Sequence, residues 1–291
     1  MTPSFSIHGN SGHCLPRRRS PRRWPVATDR NRLPRPRKRF GQHFLRDAAT
    51  IRRIVESIRV EDRTPVVEIG PGRGALTAPL AEYCSQLHLI EIDQDLIELL
   101  AERYAGNAAV TVHQGDALEF NYARLAQELG SKLVVVGNLP YNISTPLLFQ
   151  LLSQLESIRD MVFMLQREIA ERLTAGPGDS NYGRLTVTVG RSCAVKPLFE
   201  VGPGAFYPAP KVHSSVVQFS PRRAPLGPVV QPGLFERVVR DAFSQRRKTL
   251  RNALKRYQAE PVFTRLGIDP QLRAERLSIE QFAELAAALE D

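Results

Sequence analysis

Apolar residues along this chain follow two rhythms that alternate from residue 40 onward. Short apolar runs occur at Val66–Ile69, Leu87–Ile92, Val110–Gln114, Leu133–Gly137 and Met161–Leu165. Between them lie stretches such as Ala75–Tyr83 and Leu96–Tyr104, where apolar residues recur every three or four positions. The first rhythm predicts strands and the second amphipathic helices. Their alternation predicts a parallel, doubly wound sheet, an α/β fold of the Rossmann-like kind. An earlier helix is predicted with Ile51, Ile54, Val55 and Ile58 on its apolar stripe and Asp47 as its cap. Residues 182–220 admit two readings. YGRLTVTVGRSCAV alternates like a strand but also packs as a helix, and LFEVGPGAFYPAPKVHSSVVQFS reads as two strands around a Pro-rich loop. PRRAPLGPVVQP (221–232) reads as a linker, and from Leu234 helical periodicity returns without strands. The expected organisation is a tail over 1–36, an α/β domain over 37–222 and a small all-helical C-terminal domain over 223–291.

Length and charge refine that picture. A chain of 291 residues is long enough for one large domain and a smaller one. Of its 40 basic and 30 acidic residues, the first forty positions hold eleven and one, so the rest balances at 29 and 29. The excess of positive charge therefore belongs to the tail, and a basic surface on the folded body must come from local clusters. The tail, with PRRRSPRRWP at its centre, has too little apolar area to offset its ordering entropy, and disorder is expected. It reads first as an extension without function, then as an electrostatic arm for RNA, and its scarcity of acids also leaves a transit peptide open. Cys14, Cys84 and Cys193 are far apart and not in metal spacing, which points to free thiols in a reducing compartment. No apolar run is long enough for a membrane helix, and no metal site is expected. A cytoplasmic location and, for want of an obvious dimer seam, a monomer are expected.

The chemistry begins at VVEIGPGRGALT, which holds Glu68, Gly70, Gly72 and Gly74 where a strand passes into a helix. Glycines there let a nucleotide cofactor approach the backbone and the helix N-terminus. The next strand ends in LIEID, placing Glu91 where a carboxylate can accept ribose hydroxyls. A dinucleotide fingerprint is G-x-G-x-x-G. Here the third glycine comes one residue early and an acid precedes the first, a form typical of adenosylmethionine-dependent methyltransferases. The following strand ends in QGDA, where Asp116 is placed to hold an adenine amine. Taken singly, Asp116 reads as a helix cap and Glu91 as a solvated acid. Their placement at successive strand ends favours the cofactor.

VVVGNLPYN then ends a buried strand on an amide, a proline and an aromatic ring. Pro140 cannot donate to a sheet ladder, so the strand stops. The adenine amine is a poor nucleophile because its lone pair is delocalised into the ring. Two acceptors on its N–H groups, the Asn138 side-chain oxygen and the Leu139 carbonyl, would localise that pair. Tyr141 can stack on the base. The plain alternative is a strand-ending turn with Tyr141 in the core. Residues 242–259 hold Arg246, Arg247, Lys248, Arg251, Lys255 and Arg256 and no acid. On a helix, 247, 251 and 255 share a face, while Leu250, Ala253 and Leu254 face the core. Six uncompensated cations suit a polyanion.

RKRFGQHFL, EIGPGRG, IEID, GDAL, GNLPYNIS, FMLQREIAERL, FYPAPKVHSSV and AFSQRRKTLRNAL occur in that order. Together they resemble the ribosomal RNA adenine N6,N6-dimethyltransferases, most closely the bacterial small-subunit branch, over roughly residues 37–290. The resemblance implies a class I adenosylmethionine-dependent methyltransferase domain followed by a helical RNA-binding domain. It implies methylation of N6 on two adjacent adenosines in the 3′-terminal hairpin of 16S rRNA, on an immature small subunit, with adenosylhomocysteine as coproduct. It implies cofactor contacts at His43, Leu45, Gly70, Gly72, Glu91, Asp116 and Asn138. Asn138, Leu139, Pro140 and Tyr141 would carry catalysis. Phe206 would clamp the target base opposite Tyr141, and Arg246, Arg247, Lys248 and Arg251 would hold RNA. His43 stands where this motif commonly has Asn. Leu139 stands where many amine methyltransferases have a first proline, which leaves room for a monomethylated amine to return. The competing readings are a large-subunit dimethyltransferase, an RNA-binding assembly factor without catalysis, and a dinucleotide oxidoreductase.

Overall fold

The computed structural model describes residues 34, 36–37, 41–58, 60, 63–231, 233–245 and 247–290. The tail expected over 1–36 lies outside them except for Pro34 and Pro36, and Cys14 and Arg246 also lie outside. The α/β portion runs β1 (Phe44–Leu45), α1 (Ala48–Ser57), β2 (Val66–Ile69), α2 (Thr77–Tyr83), β3 (Leu87–Glu91), α3 (Gln94–Tyr104), β4 (Val110–Gln114) and α4 (Tyr122–Leu129). It continues with β5 (Leu133–Asn138), α5 (Ser144–Leu152), β6 (Ile158–Gln166), α6 (Arg167–Thr174), α7 (Arg184–Ser192), β7 (Cys193–Val201), β8 (Phe206–Tyr207) and β9 (Ser214–Pro221). Helices α8 (Leu234–Ala242), α9 (Leu250–Ala253), α10 (Glu260–Leu266) and α11 (Ile279–Ala288) complete the chain. Asp47 caps α1 as expected, accepting from the Thr50 N–H at 2.8 Å. No helix among the described residues is long and apolar enough to cross a membrane.

Seven strands form one sheet in the order β4-β3-β2-β5-β6-β9-β7. The expected parallel pairing holds from β4 to β6. The far side departs from it, because β9 runs antiparallel to both β6 and β7. Alternate residues of the central strands enter different cores. Leu133 and Val135 of β5 pack in one apolar cluster with Met161, Phe163 and Leu165 of β6. Val134 and Val136 pack on the other face with Val162 and Met164. Burial on both faces explains why these strands read as unbroken apolar runs.

The ambiguous segment divides into helix α7 and strand β7. Helix α7 is enclosed along its middle: Thr186 to Gly190 are all buried. Val189 joins the sheet core, whereas Val187 joins a third core built from α8, α9, α10 and α11. Gly190 allows close packing there, since a Cβ would stand 2.7 Å from Ile279 Cδ1. Tyr182 adds a tie across the two parts, donating its hydroxyl to the Leu277 carbonyl at 2.9 Å.

Gly137 lies close against β2, the neighbour of β5. A Cβ there would lie 2.6 Å from the Ile69 carbonyl oxygen, a backbone atom that cannot swing aside. Gly137→Ala is therefore expected to destabilise the protein by about 1–3 kcal/mol through overpacking. Urea unfolding measures this, and an unchanged midpoint would count against the close approach.

Candidate active site

Strand β2 ends at Ile69, and the chain turns through Gly70, Gly72 and Gly74 with φ of +62°, +56° and +79°. These left-handed angles favour glycine. A Cβ on Gly72 would also press to 3.0 Å from the Phe44 ring. The Gly72 N–H donates to Glu91 Oε2 at 3.2 Å, and the Ile92 and Asp93 N–H groups donate to Oε1, each at 3.0 Å. Glu91 is buried rather than solvated. Burial raises its pKa above the ordinary carboxylate value, and those three N–H bonds oppose the rise. Beside it Glu68 is buried and accepts from Thr77 Oγ1 at 2.7 Å. Burial pushes Glu68 up to about 8 against the lowering effect of that bond, and the charge of Glu91 adds to the rise. At the end of β4, Asp116 Oδ1 accepts from the Leu118 N–H at 2.9 Å, which leaves Oδ2 without a bond among the described residues. A single cavity runs past Gly70, Glu91 and Asp116 to Asn138 and Tyr141. Two carboxylates at successive strand ends and a turn without Cβ atoms fit a nucleoside cofactor.

The Asn138–Tyr141 tip sits at the other end of that cavity. The Leu139 N–H donates to the Met164 carbonyl at 3.1 Å, which extends the β5–β6 ladder one step before Pro140 ends it. Asn138 Nδ2 donates to the His43 carbonyl at 2.9 Å. A carbonyl only accepts, so the amide is oriented with Oδ1 on its other side. Among the described residues nothing donates to Oδ1 or to the Leu139 carbonyl. The Tyr141 hydroxyl bonds to Ser214 Oγ at 3.1 Å, and the ring lies against His43, centroids 5.7 Å apart and planes 27° apart. His43 Nδ1 lies 2.7 Å from the Pro208 carbonyl, so that nitrogen carries the proton.

Two expectations need correction. Phe206, expected to clamp a base, is only 1% exposed and packs in the core with Leu45 and Val216. It pairs with Leu45 on β1, and the exposed ring at this loop is its neighbour Tyr207. The basic stretch is not one helix. Helix α8 stops at Ala242, α9 spans four residues, and Arg247 and Lys248 lie on the turn between them. Nor is the stretch uncompensated: Arg251 pairs with Glu260 at 3.4 Å and Arg256 with Asp241 at 3.2 Å. Arg247, Lys248 and Lys255 are exposed, without an ion pair among the described residues. Leu250 and Leu254 do face the core.

Several contributors escaped the sequence reading. Arg37 pairs with Asp93 at 2.9 Å, and Gln42 Nε2 donates to the same carboxylate at 3.0 Å. This ties the FGQ segment to the turn that follows Glu91. Asp93 also precedes α3 as its cap, the one local signal that could have singled it out. Arg73 lies over the Phe44 ring at 4.5 Å and donates to the Pro34 carbonyl, a pairing with no local signature.

The strand order, the glycine turn and the two strand-end carboxylates define a class I methyltransferase, a type of enzyme that takes its methyl group from adenosylmethionine. The chain belongs to the ribosomal RNA adenine dimethylase family, whose profile matches residues 34–291. Its activity is accordingly adenosylmethionine-dependent rRNA adenine dimethylation. It is 51% identical over 255 residues to "Ribosomal RNA small subunit methyltransferase A" of Pseudomonas aeruginosa, covering 88% of this chain and 95% of that one. It is 51% identical over 251 residues to the protein of the same description from Nitrosococcus oceani, covering 86% and 95%. A crystal structure of a dimethyladenosine transferase from Plasmodium falciparum matches with a TM-score of 0.72 at 28% identity, over 84% of this chain and 96% of that one. The 23S rRNA methyltransferase ErmE matches with a TM-score of 0.64 at 26% identity, over 85% and 100%.

Glu68 generates a pH prediction. Its carboxyl titrates near 8 in the folded protein against an ordinary 4.5. Between those values the folded state binds a proton that the unfolded chain releases, so stability falls as pH rises, by up to about 1.4 kcal/mol per unit. Glu68→Gln stays neutral and lacks this slope. Melting curves from pH 5 to 9 are expected to show the variant gaining on the wild type as pH rises. Parallel curves would mean that Glu68 is ionised in the fold throughout.

Proposed function

We propose that this protein dimethylates N6 of two adjacent adenosines in the 3′-terminal hairpin of 16S rRNA. In this reading it works as a cytoplasmic monomer on immature small ribosomal subunits. The name shared by its bacterial relatives, which specifies the small subunit, supports that choice of RNA over the large-subunit target. The observation that carries the chemistry is the Asn138 amide, pinned to the His43 carbonyl with its oxygen left to accept.

When bound, adenosylmethionine supplies an electrophilic methyl group on sulfur. Glu91 accepts the ribose hydroxyls, Asp116 takes the adenine amine of the cofactor through Oδ2, and the turn at Gly70 and Gly72 gives close backbone approach. His43, Leu45 and Asn138 line the reactive end. Asn138 Oδ1 and the Leu139 carbonyl accept from the two N–H groups of the target amine, which returns its lone pair to nitrogen. Tyr141, its hydroxyl anchored on Ser214, offers a fixed ring for stacking. Each transfer would form an N–CH3 bond as the S–CH3 bond breaks, leaving adenosylhomocysteine, and the N6 cation would lose its proton to solvent water, so positioning and polarisation do the catalytic work without a strong base. The α/β domain over 37–222 carries this site. The helices over 223–291 carry RNA contacts, with Arg247 and Lys248 as phosphate ligands and Arg251 shared with Glu260.

The monomethylated amine keeps one N–H, so the second transfer needs room for the methyl already present. Leu139 supplies that room in this reading. Undermethylated small subunits incubated with the protein and adenosylmethionine test the whole scheme, with mass spectrometry of the adenosines. N6,N6-dimethyladenosine at the paired hairpin positions is expected, and binding without transfer would favour the assembly-factor reading. Asn138→Ala is expected to lower turnover by about 10²-fold, as when a single polarising group is lost elsewhere. Leu139→Pro also deletes the bond to Met164, so total activity is a poor readout. An undiminished ratio of dimethyl to monomethyl product would discard the role given to Leu139.

A further inference from the structure

The two rings of β8 face opposite ways. Phe206 is paired with Leu45, and both side chains are buried. Tyr207 is paired with Phe44 and is 54% exposed. Directly opposed residues of an antiparallel pair share a face, so the Tyr207 ring stands beside Phe44. The Arg73 guanidinium lies over the Phe44 ring at 4.5 Å. Phe44 and Arg73 line the cavity that fits the cofactor, whereas Tyr207 stands outside it. The residue after Tyr207 reaches the catalytic tip, because Pro208 accepts from His43 and His43 lies against Tyr141. A large ring, more than half exposed, therefore stands beside the cavity, and Lys211 is exposed on the same loop.

We propose that Tyr207 is a stacking platform for the nucleotide adjoining the adenosine held at Asn138–Tyr141. This RNA-binding contact deepens the function proposed above and rests on it. Turning one base out of a stack leaves its neighbour with a bare face. An exposed ring beside the reaction site covers that face, and it tolerates any base because every base has a π-face. Its position outside the cavity favours RNA over the cofactor as its partner.

Three variants test the assignment: Tyr207→Ala, Tyr207→Leu and Tyr207→Phe. Methylation kinetics on undermethylated small subunits are read together with affinity for adenosylhomocysteine. The KM for subunits is expected to rise about tenfold in the Ala and Leu variants, the scale of one lost base stack. The Phe variant keeps the wild-type KM, and cofactor affinity stays constant in all three. Leu retains apolar bulk without a flat face, so its behaviour separates stacking from simple cover. A wild-type KM in the Ala variant would overturn the inference, as would full rescue by Leu. So would a fall in cofactor affinity that accounts for the lost activity. Those results leave the proposed function standing, whereas a wild-type protein that methylates no small subunit overturns both.

Discussion

The hydrogen bond from the Asn138 amide to the His43 carbonyl joins two segments 95 residues apart, and the geometry of the site depends on it. It sets which end of the amide faces the cavity, because a carbonyl cannot donate. It also holds the segment before β1 against the tip of β5. From there the constraint spreads. The His43 ring is fixed between Tyr141 and the Pro208 carbonyl, and β1 pairs with β8 immediately beyond. One amide thereby brings the segment before β1, the Asn138–Tyr141 tip and the loop before β9 to a single point.

Close approach of the backbone makes that bond possible. Gly137 lets β5 pass the Ile69 carbonyl with no side chain between them, and the Leu139 N–H extends the pairing with β6. Asn138 thus leaves the sheet from a position held on both sides. The glycine turn after β2 serves the cofactor end similarly, since the Gly72 N–H reaches Glu91 and the Phe44 ring packs where a Cβ would stand. Two buried acids meet there, Glu68 and Glu91, and their roles diverge with their partners. Glu91 has three backbone N–H groups to stabilise its charge, whereas Glu68 has one hydroxyl, and burial drives it toward the neutral form.

Much of this was legible in the sequence where one local signal settled the matter. The apolar runs gave the five parallel strands, and EIGPGRG, IEID and NLPY fell at strand ends that the sheet brings to one cavity. What escaped depended on partners far along the chain. In helix α7, Leu185, Val187 and Val189 alternate with polar residues as a strand's would, and only the packing of Val189 on the sheet and of Val187 on the C-terminal helices decides between the two readings. Phe206 and Tyr207 differ only in the face set by pairing with β1, and a two-residue strand carries no alternation to reveal it. Arg37 and Asp93 are joined across the fold, and neither residue signals the other.

The basic stretch shows the same limit from the side of charge. A window without acids reads as uncompensated, yet Asp241 lies one residue before it and Glu260 one residue after, and the fold returns both to its arginines. Asp241 also accepts from the Tyr257 hydroxyl at 2.7 Å, so it closes the turn that follows α8 as well as balancing Arg256. The acids therefore shape the segment and leave its free cations on a bend. A straight helix would line charges along one axis, to follow a groove. Arg247 and Lys248 stand on the turn between α8 and α9, so the exposed cations do not share one helix axis. On the reading of this chain as an rRNA enzyme, such a surface contributes orientation and shape selection. Choice of the base itself then falls to the Asn138–Tyr141 tip, where the acceptors are aimed.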